Sequence, residues 1–425
     1  MDRRSFVVLL LAGCADPSAN LVPSVSPTPP APTPQQPEPV VAPTQSGDLT
    51  FDGWSREFYA RAVRAGLPAA LLDRELAGLT PDPRVNSLDT RQPEFAKPFG
   101  DYIKGVVSED RVAIAARRKP AIAVFLSEIE AKYGVPGDIL MAIWAMETGF
   151  GAVMGDFDVI RSMATLAAQG RRRQFAEDQL MAALRIIGSG EFPRARLRGS
   201  WAGAMGQTQF IPTSFLATAV DGDDDGKRDV WGSAPDALAS AANLLARGGW
   251  QRGESWAREV TVPQGFDYSL TEGPRETPDW WAALGVRRAD GLPWTGVDQA
   301  AKAMLIAPTG AQGPIFLLFP NHFVIRKYNN ATTYALGVGL LADRFGGSGR
   351  LVKAWPYESA LSLGDRIVTQ RALAQLSFDP GQPDGVVGVN TRNALRAWQK
   401  SRGFTADGYL SLDMVGRLKA EANIL

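Results

Sequence analysis

The chain has 425 residues, with 45 Lys+Arg against 45 Asp+Glu, one His and one Cys. That length predicts two or three folded units, and zero net charge argues against a nucleic-acid partner, which requires a basic surplus. A single histidine, His322, excludes a two-His metal site, and a single cysteine, Cys14, excludes an intramolecular disulfide.

Residues 1–14, MDRRSFVVLLLAGC, begin with Arg3 and Arg4, continue through an apolar stretch and end on small residues before Cys14. The stretch is far short of the ~20 residues of a membrane-spanning helix and fits a signal peptide. Leu11-Ala12-Gly13-Cys14 resembles the bacterial lipoprotein box, which implies lipid modification of Cys14 and a membrane contact through that lipid alone. Ala15 follows the cysteine and Asp16 stands one place later, which favours the outer membrane. Residues 15–47 read as a linker: 17–46 hold ten prolines and one charge, Glu38. Such a segment buries too little apolar surface to fold and acts as an extended spacer.

Helical patterning dominates residues 48–349. Trp54 to Ala65, Arg117 to Tyr133, Gln174 to Ile187 and Asp236 to Arg247 carry apolar residues at helical spacing between Gly or Pro boundaries. Glu259 to Val262 reads as a strand, and Ile315 to Phe319 with Phe323 to Lys327 read as a strand pair turning at Pro320-Asn321-His322. His322 in such a run is set aside from catalysis. The fold class is α+β, mostly α, with a small β component.

The segment from Pro136 to Gly151 is the most informative. Asp138 is suited to cap a helix and Gly149 to end it, and residues 139–146 between them are all apolar. A helix apolar on every side is buried. Glu147 then stands at its last turn, where desolvation and the negative end of the helix dipole favour the neutral acid. A carboxyl group kept protonated near neutral pH can give its proton to a leaving oxygen. Residues 200–214, SWAGAMGQTQFIPTS, combine small side chains with hydroxyls and amides, with Pro212 suited to a first helical turn. Small residues admit a bulky ligand and the neutral donors suit a polyhydroxyl one.

Asp221, Asp223, Asp225 and Asp229 fall at positions 1, 3, 5 and 9 of a calcium-type loop, with Gly226 at position 6 and Lys227 at position 7. Gly232 occupies position 12, where a bidentate Glu is usual, and Asp236 beyond it either closes the site or caps the following helix. The loop is read as a structural Ca2+ site, and nothing points to an organic cofactor. In residues 350–425, Leu363 to Leu376, Thr391 to Gln399 and Leu412 to Ala420 read as three short helices, with Asn390 as a cap for the second.

Ala-Met-Glu147-Thr-Gly-Phe-Gly, followed by Ala202-Gly-Ala-Met-Gly206-x-x-Gln209-Phe-x-Pro212-x-Ser214, resembles the membrane-bound lytic murein transglycosylase B family (glycoside hydrolase family 103). The resemblance implies a lysozyme-like catalytic domain over 48–349, acting on peptidoglycan glycan strands in the bacterial periplasm. It implies cleavage of the β-1,4 bond between N-acetylmuramic acid and N-acetylglucosamine by the muramyl 6-hydroxyl, leaving 1,6-anhydro ends. By position in the motif, Glu147 is the acid, and Ser200, Gln209, Tyr328, Asn329, Tyr334 and Arg173 are sugar contacts. Asp384-Gly-x-x-Gly-x-x-Thr391-x-x-Ala-x-x-x-Trp398-Gln, then Asp407-Gly, resembles the three-helix peptidoglycan-binding domain, over 350–425. The alternatives are a water-using muramidase and a non-catalytic cell-wall scaffold; protein partners are undetermined.

Overall fold

The computed structural model describes residues 46–90, 97–348 and 350–424. Cys14, the signal-peptide segment and nearly all of the Pro-rich spacer lie outside them. The helices in chain order are α1 (Leu49–Arg64), α2 (Ala69–Leu76), α3 (Pro83–Thr90), α4 (Phe99–Val106), α5 (Glu109–Arg118), α6 (Ala123–Tyr133) and α7 (Gly137–Thr148). Then come α8 (Val159–Gln169), α9 (Arg173–Gly188), α10 (Pro212–Thr218), α11 (Ala234–Arg247), α12 (Pro278–Ala283), α13 (Pro320–Tyr328) and α14 (Thr332–Phe345). The last three are α15 (Leu363–Gln375), α16 (Val389–Ser401) and α17 (Leu412–Glu421). The strands are β1 (Phe157–Asp158), β2 (Arg198–Gly199), β3 (Ala257–Thr261), β4 (Arg275–Glu276), β5 (Arg287–Arg288), β6 (Ala303–Ile306) and β7 (Ile315–Leu318). The chain is mostly helical with a small β part, as its patterning predicts.

The described chain divides into two compact units. The first comprises residues 46–89, Gly155–Met205 and Phe210–Ala217. Its framework is α8 packed along α9, with α1 against α8 and α2 against α9. Asp48 caps α1 by accepting from Thr50 and Phe51, so that Phe51, Trp54 and Phe58 face inward. The two-residue strands β1 and β2 pair antiparallel, Phe157 opposite Gly199.

The second unit comprises Thr90–Met154, Gly206–Gln209 and residues 218–424. At its centre is α7, packed against α5, α6, α11 and α14. Residues 139–146 are all buried, as a helix without a polar face requires. Its start differs from expectation. The helix begins at Gly137 with Pro136 as an N-cap that offers no side chain, while Asp138 pairs with Lys119 Nζ at 2.6 Å. The expected helix 117–133 is broken at Lys119-Pro120 into α5, a 3-10 turn and α6, because proline cannot donate within a helix.

Beside the helices lies a five-stranded antiparallel sheet of order β4-β6-β7-β3-β5. Its core gathers Val260, Trp281, Leu305, Leu317 and Phe319. The expected pairing of Ile315–Phe319 with Phe323–Lys327 does not form. β7 pairs with β3 and β6 instead, and Pro320 opens α13, where its missing N–H costs nothing. Helix α13 buries His322, Val324 and Ile325. Residues 363–424 form a three-helix module around Leu373, Leu395, Trp398 and Leu418. Ser362 and Asp365 make a reciprocal capping box at α15, and Gly388, not Asn390, precedes α16 as its N-cap.

Candidate active site

Glu147 lies on the last turn of α7 and is 8% exposed. The chain after it turns sharply: Gly149, Phe150 and Gly151 all have left-handed backbone, φ 59°, 63° and 81°. A phenylalanine there is strained, and the surroundings hold it. Phe150 is buried edge-on to Trp144, and Gly151 N donates to Thr148 Oγ1 at 2.9 Å. Thr148 Oγ1 in turn donates to the Gln207 carbonyl at 2.5 Å. Thr148, the residue after Glu147, thereby ties the end of α7 to the Gly206–Gln209 loop.

That loop is fixed from its other side. Gln207 N donates to Val230 O at 2.8 Å, and at Gly206, φ 70°, a Cβ would come within 2.7 Å of the same carbonyl. Gln209 adopts φ 54°, and its Nε2 donates to Met154 O and Gly206 O, both at 3.1 Å. This leaves the amide oxygen as the group it can offer a ligand.

The hydroxyl of Tyr334, on the first turn of α14, donates to Glu147 Oε1 at 2.6 Å. Tyr328, at the end of α13, donates to the Thr208 carbonyl at 2.5 Å. Burial pushes the Glu147 carboxyl up to about 7, and the Tyr334 hydrogen bond opposes this by favouring the anion. Burial raises both phenols well above their ordinary value, with the Glu147 charge adding to it. Tyr102, on α4, is pushed up to about 12 by burial and then by the same charge. Asn329 is 7% exposed, and its Oδ1 has no hydrogen-bond partner among the described residues.

Five expected site residues, Glu147, Gln209, Tyr328, Asn329 and Tyr334, thus fall in one unit. Ser200 and Arg173 belong to the other. Ser200 Oγ accepts from Ala204 N at 3.0 Å, shaping the small-residue loop. Arg173, at the start of α9, is held by Glu57 at 2.7 Å and Glu177 at 3.0 Å and is 43% exposed. Tyr102 is the residue that sequence reasoning missed. It sits in a short helix without a motif, and only the packing of α4 on α14 brings it near.

In the acidic loop, one carboxylate oxygen each from Asp221, Asp223, Asp225 and Asp236 lies within 4.8 Å of the others. Asp236 is fully buried and accepts from Gly222 N and Asp229 N, both at 2.7 Å. It is not the helix cap, because Ser233 fills that role for α11. Burial raises its carboxyl, and Asp223 and Asp221 add repulsion. A cation would relieve both effects, so the donor set fits a hard divalent ion. The Asp229 carboxylate accepts from Trp231 N and Gly232 N and stands outside the four. Lys227 contributes its N–H to Asp225 at 2.9 Å, with its carbonyl left for a ligand.

The transglycosylase SLT domain family matches residues 50–343, and the peptidoglycan binding domain family matches 363–418. SltB3 from Pseudomonas aeruginosa, solved in complex with NAG-anhNAM-pentapeptide, is 47% identical with a TM-score of 0.84, over 88% of this chain and all of that one. The Escherichia coli lytic transglycosylase Slt35, solved in complex with calcium, is 27% identical with a TM-score of 0.58, over 69% of this chain and 92% of that one. Membrane-bound lytic murein transglycosylase B of E. coli is 33% identical over half of this chain, which spans 57% of that relative's length. The match over residues 50–343 and the likeness to SltB3 place this chain in the SLT-domain lytic transglycosylase family, with an appended peptidoglycan-binding domain.

Proposed function

We propose that this chain is a lytic murein transglycosylase cleaving the β-1,4 MurNAc–GlcNAc bond without water, and that Glu147 is its acid and base. One observation carries the reading: the Glu147 carboxyl is buried at the end of α7, where burial pushes it up to about 7 and the Tyr334 hydroxyl donates to it. Retaining and inverting glycosidases place two carboxyl groups across the bond. One group suffices when the nucleophile belongs to the substrate. Glu147 gives its proton to the glycosidic oxygen as the C1–O bond breaks, and the N-acetyl group supports the cationic carbon. The muramyl 6-hydroxyl oxygen then bonds to C1 and its proton returns to Glu147, closing the 1,6-anhydro ring. Tethering the nucleophile within the substrate lowers the entropy cost of attack. The anhydro sugar bound to the 47%-identical SltB3 supports this product.

In this reading Tyr334 orients and tunes Glu147, Tyr328 fixes the Thr208 carbonyl, and Ser200, Gln209 and Asn329 hold the sugars. Arg173, whose guanidinium pairs with Glu57 and Glu177, is a further sugar contact in this reading. We assign residues 48–349 to catalysis and 350–425 to peptidoglycan binding. Residues 1–14 are the signal peptide and 15–47 the spacer, with Cys14 carrying a lipid on the periplasmic face of the outer membrane. No helix among the described residues is long and apolar enough to cross a membrane, so the lipid would be the membrane contact. Ca2+ is the ion proposed for Asp221, Asp223, Asp225, Asp236 and the Lys227 carbonyl; the calcium complex of the related Slt35 supports it. Its role is structural.

The test is digestion of purified sacculi by wild type and Glu147→Gln, with the products resolved by mass spectrometry. Anhydro ends from wild type and none from the variant are expected. Reducing ends would establish a muramidase, and no products from wild type would establish a scaffold.

A further inference from the structure

We propose that Glu358, in the strap between α14 and the C-terminal module, is a positioning residue of the active site, through which Tyr409 of the module holds α4 beside the helices that carry Glu147 and Tyr334. The inference rests on the proposed function.

The start of α4 has no cap of its own. Pro98 precedes it and offers no side chain, which leaves the Gly100 N–H unpaired by local sequence. Glu358 Oε2 accepts that N–H at 2.6 Å across 258 residues of chain, and a carboxylate is well placed at the positive end of a helix. The other oxygen, Oε1, accepts from the Tyr409 hydroxyl at 2.7 Å. Gly100 admits this approach, since a Cβ there would lie 2.9 Å from Trp355 and 3.0 Å from Glu358 Oε2. Trp355 packs on Phe99 with ring centroids 5.4 Å apart.

Tyr409 is itself held in place. Arg392 pairs with Glu272 through two contacts of 2.6 Å, and Arg396 donates to Thr271 Oγ1 at 2.6 Å. Asp407 accepts from Ala311 N at 2.9 Å. The strap is fixed where Val352 N and Lys353 N donate to Glu259 at 2.7 and 2.8 Å. At its other end α4 meets the catalytic helices at close range. A Cβ on Gly337 of α14 would lie 3.2 Å from Val106 of α4 and 3.3 Å from Met146, the residue before Glu147. A shift of α4 is therefore felt by both α7 and α14. Helix α4 also carries Tyr102, which with Tyr328 of α13 and Tyr334 of α14 forms the set of titratable groups acting with Glu147; Arg111 of α5 acts on Tyr102.

The decisive variants are Tyr409→Phe, which removes one hydroxyl, and Glu358→Gln, whose single carbonyl oxygen replaces two acceptors. Both are measured with wild type on a soluble tetrasaccharide of alternating NAG and NAM. Each is expected to lower kcat about tenfold with KM unchanged, as a small misplacement of catalytic groups does. Each should also move the basic limb of the rate–pH profile down by about one unit as water reaches Glu147. The double variant should be no worse than Glu358→Gln alone, because the two act in series. Co-sedimentation with sacculi, compared in a Glu147→Gln background, should not change with Tyr409→Phe. An unchanged kcat and pH limb in folded Tyr409→Phe overturns the proposal, as does a loss confined to KM or a loss of sedimentation that matches the loss of rate. Inactive wild type overturns the proposed function instead, which keeps the two failures apart.

Discussion

Replacing Tyr334 by Phe removes a single hydroxyl and isolates the effect that tunes Glu147. The hydrogen bond of 2.6 Å to Oε1 favours the carboxylate and opposes the burial that pushes this group up to about 7. A hydrogen bond to a charged group contributes about 1.5–3 kcal/mol. At about 1.4 kcal/mol for each tenfold change in the protonation equilibrium, its loss raises the carboxyl by about one to two pH units. The protonated acid is the form that begins the reaction, so the basic limb of kcat/KM should move upward, from near pH 7 to pH 8 or above. The profile is measured on the soluble tetrasaccharide, because kcat/KM reports the free enzyme. A limb that stays in place or moves downward would refute the claim that Tyr334 stabilises the anion of this group.

Glu147→Gln should make the protein more stable at alkaline pH. A carboxyl raised from 4.5 to about 7 on folding contributes most below pH 4.5, and that contribution is lost as pH rises through about 7. The variant's advantage over wild type should therefore grow by about 3 kcal/mol between pH 4 and pH 8 in urea titrations; an advantage independent of pH would count against a raised pKa. Ca2+ should raise Tm, by the equivalent of about 2.7 kcal/mol at a hundred times Kd. Asp236→Asn should abolish that rise, and a chelator should reverse it in wild type. Gly339→Ala places a Cβ 2.2 Å from the buried Trp256 ring. It should cost about 1–3 kcal/mol or more in urea unfolding, and wild-type stability would show that α14 and Trp256 separate freely.

The sequence makes visible those parts that local chemistry decides. The wholly apolar run 139–146 announces a buried helix, and Gly149 ends it in the left-handed conformation that glycine favours. Pro212 opens α10, and the three helices of the C-terminal module lie where apolar spacing puts them. Expectations failed where two local signals competed. Phe323 to Lys327 has strand-like side chains, yet Pro320 set the start of a helix and its apolar residues pack as a helical face. Asp138 and Asp236 were both suited to capping, but Lys119 claims the first and the acidic loop the second.

Within the candidate site, the burial of Glu147 was legible because its wholly apolar helix carries it. Tyr102 and Glu358 were not, since each acts through chain segments far apart in sequence. No spacing rule connects Gly100 with Glu358, or Tyr102 with Glu147. Only the packing of α4 on α14, and of the strap on α4, brings these groups together.

The protonation of Glu147 can be observed without substrate. Its carboxyl carbon resonance, assigned by its loss in Glu147→Gln, can be followed across pH 3 to 9 in carbon-13 NMR. A midpoint near 7 is expected of a buried acid opposed only by one phenol hydrogen bond. A midpoint near 4.5 would mean that water reaches the carboxylate, and that Glu147 is not the acid that protonates the departing sugar.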